Sequence, residues 1–316
     1  MNQNLLRLGE LEWPVDPKRI FGRGGPFVME IGFGNGQFLA ELSSFHPEWN
    51  LLGVEIAPAS ITRAYLRARR EGLANIRVLH GQARFAVREL CPPRSLHRVF
   101  VNFPDPWPRE KHQDRRLMQQ PFLRLLSTRL EDGGALLFTT DHEEYFRFAL
   151  AEGEATGLYA IREGDPSPEM LRTKYAQRWL GMRKPIYHAA FLKARETSEP
   201  HPASIEVVTM QHIRLRGDLK TVASFEKAVH PFKGGRVILR NCYRGLEQAE
   251  LEFFCLVDEE DLRQQVVVEA RPGESGVTVE LSGFGAPVVT RGVKESVHAV
   301  ANWLVARGME ILEVAV

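Results

Sequence analysis

The segment Phe27-Val-Met-Glu-Ile31, followed by Gly32-Phe-Gly-Asn-Gly36 and Gln37-Phe-Leu-Ala-Glu-Leu42, decides the fold of the first part of the chain. Its first five residues predict a short buried strand, the glycines predict a tight turn, and the apolar residues that follow predict the start of a helix. Glycines allow the backbone to approach a ligand closely, and a helix N-terminus offers free amides to it. The segment therefore predicts a nucleotide-binding α/β unit.

The acid and the glycine spacing of this segment favour S-adenosylmethionine over a dinucleotide. The dinucleotide fingerprint requires a glycine where this chain has Gln37, and the third glycine comes one residue earlier, at Gly36. A carboxylate at Glu30 would repel a pyrophosphate, but it would attract the amino and sulfonium groups of S-adenosylmethionine. Glu55, at the end of the next predicted strand, is placed to accept both ribose hydroxyls, which NAD would also require.

A second segment, Val99-Phe-Val-Asn-Phe-Pro-Asp-Pro-Trp107, ends a predicted buried strand in a turn with a proline on each side of Asp105. Two prolines restrict the local φ angles, so we expect the carboxylate to be held in one direction. The next residues are rich in cationic and titratable groups: Arg109, Lys111, His112, Arg115 and Arg116. An oriented acid beside a cationic surface suits an enzyme that acts on a phosphate-bearing polymer, and a plain turn before a solvated charged helix is the alternative.

Strand and helix patterns alternate over residues 27–195. The predicted strands are residues 28–31, 51–55, 76–80, 98–103, 134–139, 159–163 and 186–193, and the main predicted helices are residues 57–72 and 115–130. This alternation predicts an α/β fold with a doubly wound, mostly parallel sheet and a ligand at the carboxyl ends of its strands. Glu30, Glu55, Asp105 and Asp141 all occur at such ends.

A polar segment with two prolines, residues 195–204, predicts a linker between residues 1–198 and a second, smaller domain, residues 205–316. Predicted strands at residues 205–214, 236–242, 250–257, 264–270, 276–281 and 310–314, with a helix at residues 294–307, indicate an α+β unit. Its basic residues are Lys233, Arg236, Arg240 and Arg244. They could contact RNA, or they could form a solvated basic turn.

The net charge of +1 conceals an uneven distribution along the 316 residues. Residues 1–200 contain 28 Lys and Arg against 24 Asp and Glu, whereas residues 201–316 contain 13 against 16. The basic excess therefore accompanies the glycine turn. A predicted helix within it carries Arg63, Arg67, Arg69 and Arg70, which could contact RNA or form a solvated face.

The N-terminal residues lack the pattern of a secretory signal, and no apolar run approaches the roughly 20 residues that span a bilayer. The three cysteines, Cys91, Cys242 and Cys255, lack the spacing of metal ligands and indicate a reducing compartment. We therefore predict a cytoplasmic protein without a metal or a membrane contact, and the oligomeric state stays open.

Five segments together resemble the bacterial tRNA (guanine-N7)-methyltransferase family. They are Glu30–Gly36, Gly53-Val-Glu-Ile56, Phe103-Pro-Asp-Pro-Trp107 with its His112 and Arg115-Arg116 tail, Thr140-Asp141, and Thr173-Lys-Tyr175. The glycine motif is shared by many methyltransferases, but Pro-Asp-Pro-Trp with the basic tail is specific. The resemblance covers about residues 27–195.

The resemblance implies a Rossmann-like class I fold and methyl transfer from S-adenosylmethionine to N7 of a variable-loop guanine, position 46, in tRNA. It implies that Asp105 is catalytic and also touches the cofactor. The expected cofactor-binding residues are Glu30, Gly32, Gly34, Gly36, Glu55, Gln82 and Asp105. The expected tRNA-binding residues are Arg109, Asp141, Thr173, Lys174, Tyr175 and Ala176.

Three residues depart from the family pattern. Gln82 replaces an Asp or Asn, Arg109 replaces a Lys, and Ala176 replaces a Glu. A glutamine carbonyl can still accept from an adenine amine, and Arg109 keeps the charge, but Ala176 leaves guanine recognition to other groups. Two alternatives remain: a nucleic-acid methyltransferase acting on an exocyclic amine, and a non-catalytic tRNA-binding protein. Methyltransferases that act on exocyclic amines have two adjacent prolines in the turn at this strand end, whereas Asp105 separates the two prolines in this chain.

Overall fold

The strand that contains Glu30 lies in the middle of an eight-stranded sheet in the computed structural model. The strands are β1 Leu5–Leu6, β2 Phe27–Ile31, β3 Asn50–Glu55, β4 Ile76–His80, β5 Leu96–Asn102, β6 Leu130–Thr140, β7 Tyr159–Glu163 and β8 Tyr187–Lys193. Their order is β1-β4-β3-β2-β5-β6-β8-β7. All neighbours are parallel except β6 with β8 and β8 with β7.

The structure describes residues 4–171, 177, 181, 185–199, 201, 208–246, 249–273 and 276–315. The helices of the sheet-containing unit are α1 Pro17–Phe21, α2 Gln37–Phe45, α3 Pro58–Arg70, α4 Ala83–Phe85, α5 Gln120–Ser127, α6 Glu143–Thr156 and α7 Pro168–Leu171. A π-helical turn, Ala86–Leu90, continues α4, and 3₁₀ turns occur at Leu8–Glu10 and Glu110–Arg115. The fold class predicted for this unit is confirmed.

The central strands are apolar because both of their faces are covered. Every residue of β2 is buried, as parallel strands between helices require. Phe38 and Leu39 of α2 pack with Ile61 of α3 in one core cluster, and burying each such side chain contributes about 1.5–3 kcal/mol. Gly53 of β3 leaves room for this packing, since a Cβ there would lie 2.5 Å from Leu39 Cδ1.

The direction in which strands are added reverses between β2 and β5. The chain runs outward from β2 through β3 to β4, then returns to add β5 and β6 on the other side of β2. The connections that leave β2 and β5 at their carboxyl ends therefore diverge, and a crevice opens between them. This crevice receives the glycine turn and the Pro-Asp-Pro-Trp turn.

The single helix predicted at residues 115–130 is wrong. A 3₁₀ turn ends at Arg115, Arg116 is extended with φ −62° and ψ 136°, and α5 begins only at Gln120. Pro121 explains the late start, because proline has no amide hydrogen to donate and fits only the first turn of a helix. The basic residues before it consequently lie on an irregular segment.

The second compact unit comprises residues Ile205–Val316 together with Leu8–Glu10, and the first comprises Met1–Arg7 and Leu11–Ser204. Its strands are β9 His212–Arg216, β10 Ala228–Phe232, β11 Gly235–Arg244, β12 Leu251–Glu259, β13 Arg263–Gly273, β14 Gly276–Leu281 and β15 Glu310–Ala315. They form an antiparallel sheet in the order β10-β11-β12-β13-β14-β9-β15. The sequence predicted neither β10 nor the grouping of Leu8–Glu10 with this unit.

One helix, α8 Arg291–Val305, packs against this second sheet. Residues alternate along β12, where Leu251, Phe253, Cys255 and Val257 are buried and the intervening residues are more exposed. Trp303 of α8 packs on Phe253 at a ring-centroid distance of 5.3 Å. An antiparallel sheet with a helix on one face agrees with the predicted α+β class.

We predict that Gly36→Ala destabilises the protein more than Gly22→Ala. Both glycines have positive φ, 72° and 70°, so alanine is strained at either position by about 1–2 kcal/mol. Only at Gly36 would the new Cβ also lie 2.5 Å from the Ala64 Cβ, whereas nothing lies within 4 Å at Gly22. Urea unfolding of both variants measures the difference, and equal losses would contradict the packing role of Gly36.

Candidate active site

The glycine turn after β2 is held open toward the crevice. Gly32, Gly34 and Gly36 have φ of 75°, 55° and 72°, a region that favours glycine. A Cβ at Gly32 or Gly34 would meet nothing within 4 Å, whereas Gly36 packs on α3. The first two glycines therefore leave space for a ligand, and the third sets the distance between α2 and α3.

Glu55 at the end of β3 is fixed beside this turn by three backbone amides. Its Oε2 accepts from Gly34 N at 3.0 Å, and its Oε1 accepts from Ile56 N at 2.8 Å and Ala57 N at 3.1 Å. Oε2 accepts only one of these hydrogen bonds, so it can accept a further one. The half-buried side chain is thus oriented in advance to accept from hydroxyl groups of a ligand in the crevice.

Glu30 at the end of β2 is a buried acid without a full set of partners. Its residue is 2% exposed, and no described residue hydrogen-bonds its Oε2. Burial, and to a lesser extent the charge of Glu55, raises the pKa of Glu30 to about 8, while the nearby Asn102 amide opposes this shift. Both polar atoms of the Asn102 side chain are buried and lack a hydrogen bond of good geometry within the described structure. These buried polar atoms leave hydrogen-bonding capacity beside the crevice that the described residues do not fill.

The Pro-Asp-Pro-Trp turn after β5 is strained on both sides of Asp105. Phe103 and Trp107, each of which precedes a proline, have φ of 50° and 43°. Such conformations cost about 1–3 kcal/mol each and occur often at functional sites. Phe103 N donates to Thr139 O at 2.8 Å, which ties the turn to β6. Asp105 itself is exposed and makes no hydrogen bond with the described residues.

The cationic residues after this turn have two different environments. Arg109, Lys111 and Arg115 are exposed, and the Arg115 guanidinium lies 5.0 Å from the centroid of the Trp107 ring. His112 makes an edge contact with the same ring at 6.0 Å. Arg116, by contrast, is buried. Our interpretation of Arg116 as one member of an exposed cationic surface is therefore wrong.

Five expected site residues share one edge of the sheet. Glu30 and Glu55 end β2 and β3, and Gln82, Asp105 and Asp141 follow β4, β5 and β6. These strands are contiguous and parallel, so their carboxyl ends lie on the same side. Gln82 and Asp141 are partly exposed. The expected residues Thr173, Lys174, Tyr175 and Ala176 lie outside the described residues.

Sequence reasoning did not assign Asn102 to the site, and it placed Arg116 on the cationic surface rather than in the fold. Asn102 could have been found as the last residue of β5, because the parallel register pairs Glu30 with Phe100 and so places Asn102 on the same face, diagonal to Glu30. No local pattern separates Arg116 from Arg115. The arginines of α3 also differ from the expected cationic cluster, because Arg67 and Arg70 both pair with Glu71 at 3.2 Å and 2.9 Å.

Comparisons with known proteins agree with this geometry. A family model described as "Putative methyltransferase" matches residues 24–189. The chain is 46% identical over 303 residues to a tRNA (guanine-N(7)-)-methyltransferase of Thermus thermophilus, covering 95% of this chain and 96% of that protein. The chain belongs to the tRNA (guanine-N7)-methyltransferase family. A relative of the same name from Deinococcus radiodurans is 38% identical and covers 96% of this methyltransferase and 97% of its own length.

The similarity to these relatives extends beyond the part with the recognised motifs, since it includes the second unit of this methyltransferase. Among solved structures, a 30S ribosomal A1408 methyltransferase from an uncultured bacterium matches 57% of this chain and 94% of its own, with 14% identity and a TM-score of 0.43. None of the described helices is long and apolar enough to span a membrane. The described residues contain no group of three or more metal-ligating side chains arranged to hold a metal ion.

We predict that Glu30 makes a contribution to the stability of the ligand-free protein that is lost as pH rises from about 4.5 to about 8, and that Glu30→Gln abolishes this contribution. The pKa of Glu30 is raised from 4.5 to about 8 by burial, so in this range the folded state binds a proton that the unfolded state has released. Each step up in pH therefore favours unfolding at this site.

Urea unfolding of the wild type and Glu30→Gln over this pH range measures the difference in slope. Asp114→Asn, which changes an exposed acid, is the control and should leave the slope unchanged. Equal slopes for the wild type and Glu30→Gln would contradict a neutral Glu30 in the free protein.

Proposed function

We propose that this protein transfers a methyl group from S-adenosylmethionine to N7 of the variable-loop guanine at position 46 of tRNA. The observation that carries the proposal is the set of polar side chains on contiguous strand ends, with Asp105 presented on a strained turn beside exposed cations. The 46% identity to the Thermus thermophilus enzyme over nearly the whole chain supports the same reaction.

The residues of the crevice fit the cofactor. The unpaired Oε2 of Glu30 suits its ammonium group, and the oriented carboxylate of Glu55 suits its ribose hydroxyls. The open space beside Gly32 and Gly34 leaves room for the cofactor to contact the backbone of the glycine turn. The Gln82 side-chain carbonyl can accept a hydrogen bond from the adenine amine of the cofactor. When bound, S-adenosylmethionine supplies an electrophilic methyl group. The protein need only hold this group in line with the attacking nitrogen.

Asp105 would act on the guanine. N7 of guanine carries a free lone pair at neutral pH, so no base has to remove a proton before the attack. Correct alignment of the reacting atoms, about 3–3.5 Å apart, can then supply most of the rate. The exposed carboxylate of Asp105 can accept hydrogen bonds from the guanine edge and offset the positive charge that develops on the purine.

The exposed cations and Trp107 would bind the tRNA around the target base. Arg109, Lys111 and Arg115 can pair with phosphates, so affinity should fall with salt. The partly exposed ring of Trp107 can stack on a base, a contact worth about 1–3 kcal/mol. Asp141, together with Thr173, Lys174, Tyr175 and Ala176, would complete the substrate site.

Labelled S-adenosylmethionine and an unmodified tRNA transcript test the function directly. Label in 7-methylguanosine at position 46 is the expected result of nucleoside mapping. Label on an exocyclic amine would assign the protein to the amino-methyltransferases instead. Binding of the transcript without transfer of label would identify the protein as a non-catalytic tRNA-binding protein.

We predict that Asp105→Ala lowers kcat about a hundredfold or more, because the guanine loses its positioning and electrostatic partner. The dissociation constant for S-adenosylmethionine should change only modestly. Asp114→Ala, which removes another exposed acid from the same irregular segment, is the matched control and should keep the wild-type kcat. Turnover of Asp105→Ala within threefold of wild type would remove Asp105 from the catalytic role.

We infer that the second unit also contacts tRNA, through Lys233 and Arg240. Of its four basic candidates, Arg236 pairs with Asp258 at 2.9 Å, and Arg244 donates to Leu219 O at 3.0 Å and Val222 O at 2.8 Å. Lys233 and Arg240 are exposed and form no ion pair within the described residues. Their charges are therefore available to phosphates.

We predict that replacing both Lys233 and Arg240 by alanine raises KM for tRNA and flattens its salt dependence by up to about two counterions, while kcat is largely kept. The control is Arg236→Ala, which removes a cation already paired with Asp258. Steady-state kinetics at several salt concentrations decide the matter. If the double variant changes KM for tRNA and its salt dependence no more than Arg236→Ala does, Lys233 and Arg240 are solvated surface residues that do not contact tRNA.

A further inference from the structure

Arg116 is a buried cation that supports the turn carrying Asp105. Its side chain is 1% exposed. Its Nε donates to Pro106 O at 2.9 Å, and its Nη2 lies 3.5 Å from Trp107 O. The same Nη2 donates to Glu144 Oε1 on α6 at 2.9 Å. Arg116 thus links the two residues that follow Asp105 to a helix of the fold.

Aromatic rings hold this guanidinium in place. It lies 5.1 Å from the ring centroid of Tyr145 and 4.9 Å from that of Phe148, both on α6. The Tyr145 hydroxyl accepts from Leu117 N at 3.1 Å and Met118 N at 3.3 Å, so the chain beyond Arg116 is tied to the same helix. A planar guanidinium can stack its face on aromatic rings while its edge donates hydrogen bonds, which a lysine ammonium cannot do.

The turn around Asp105 needs such support from both ends. Its left-handed residues are Phe103 and Trp107, and such conformations persist only where the surroundings enforce them. The Phe103 amide secures the first end to β6, and Arg116 holds the carbonyls of the second end. Because Glu144 balances the charge of Arg116, and because the side chain is buried, phosphates of a substrate cannot reach it.

We propose that Arg116 is a positioning residue for methyl transfer, which holds the Pro106–Trp107 backbone so that Asp105 meets the guanine in the productive orientation. This inference rests on the proposed function. A displacement of about 1 Å at a reacting group can lower a rate about a hundredfold. The two adjacent arginines therefore have different roles: Arg115 faces the solvent and the Trp107 ring, whereas Arg116 holds the backbone of the turn.

Arg116→Lys tests the proposal, because it keeps the charge and removes the planar fork. We expect kcat for tRNA methylation to fall about a hundredfold. The dissociation constant of S-adenosylmethionine and the salt dependence of KM for tRNA should match those of the wild type. Assays run well below the melting temperature of the variant separate this effect from unfolding. Arg147→Lys, on the exposed side of the same helix α6, is the matched control and should behave as the wild type.

A second pair of variants acts from the surface and leaves the buried arginine in place. Glu144 is 55% exposed, so its replacement creates no cavity. Glu144→Ala should lower kcat several-fold because Arg116 loses an acceptor, and Glu144→Gln should restore it, since an amide oxygen can still accept from Nη2. If the contact between Glu144 and Arg116 had a purely structural role, both variants would lose stability and Glu144→Gln would not restore kcat.

Several results would overturn the proposal. Arg116→Lys with kcat within threefold of wild type would reject it, as would a variant whose only defect is a higher KM with a flatter salt dependence. If Arg116→Lys does not fold, equal kcat values for Glu144→Ala and wild type would reject it. The wild type separates this inference from the proposed function: absence of 7-methylguanosine in its product rejects the function, whereas full N7 methylation by Arg116→Lys rejects only the positioning role.

Discussion

The parallel pairing of β2 with β5 is the constraint on which the site depends. Glu30 pairs with Phe100, so Asn102, two residues further along β5, lies on the same face of the sheet, and its amide lies beside the Glu30 carboxyl at the carboxyl ends of the two strands. The order of strands reverses here, and the glycine turn and the Pro-Asp-Pro-Trp turn consequently leave the sheet on either side of one crevice. A slip of one residue in this register would move Glu30 to the other face of β2 and separate it from Asn102.

Two acids in this crevice have opposite environments, and their chemistry follows from that difference. Glu30 is buried, and the raised pKa keeps it largely neutral until a cation arrives. Asp105 is exposed on a turn whose strain is held by Phe103 N and by Arg116. The buried acid suits a permanent positive group, and the exposed acid suits a charge that develops during the reaction.

Local patterns in the sequence were sufficient for the succession of strands and helices over residues 27–195, the glycine turn and the placement of acids at strand ends, because each depends on neighbouring residues. The helix predicted at residues 115–130 failed because Pro121 has no amide hydrogen to donate and fits only the first turn of an α-helix, so α5 cannot begin as early as Arg115. Asn102 was not assigned to the site, and Arg116 was placed on the wrong surface, because their surroundings come from β2 and from α6, distant in sequence. The segment with Thr173 and Ala176 lies outside the described residues, so its expected role stays a prediction.

Cationic composition alone does not identify an RNA surface in this chain. Arg116 lies against Glu144, Arg236 pairs with Asp258, and Arg244 holds the carbonyls of Leu219 and Val222. Each of these arginines uses its planar group to brace a turn or a strand, and only a lysine or arginine without such partners can exchange counterions for phosphates. Arg109 and Arg115 beside Asp105 meet that condition. In the proposed function, these exposed cations would attract tRNA to the turn that Arg116 holds in place, so that binding and alignment would come from neighbouring residues of one short segment.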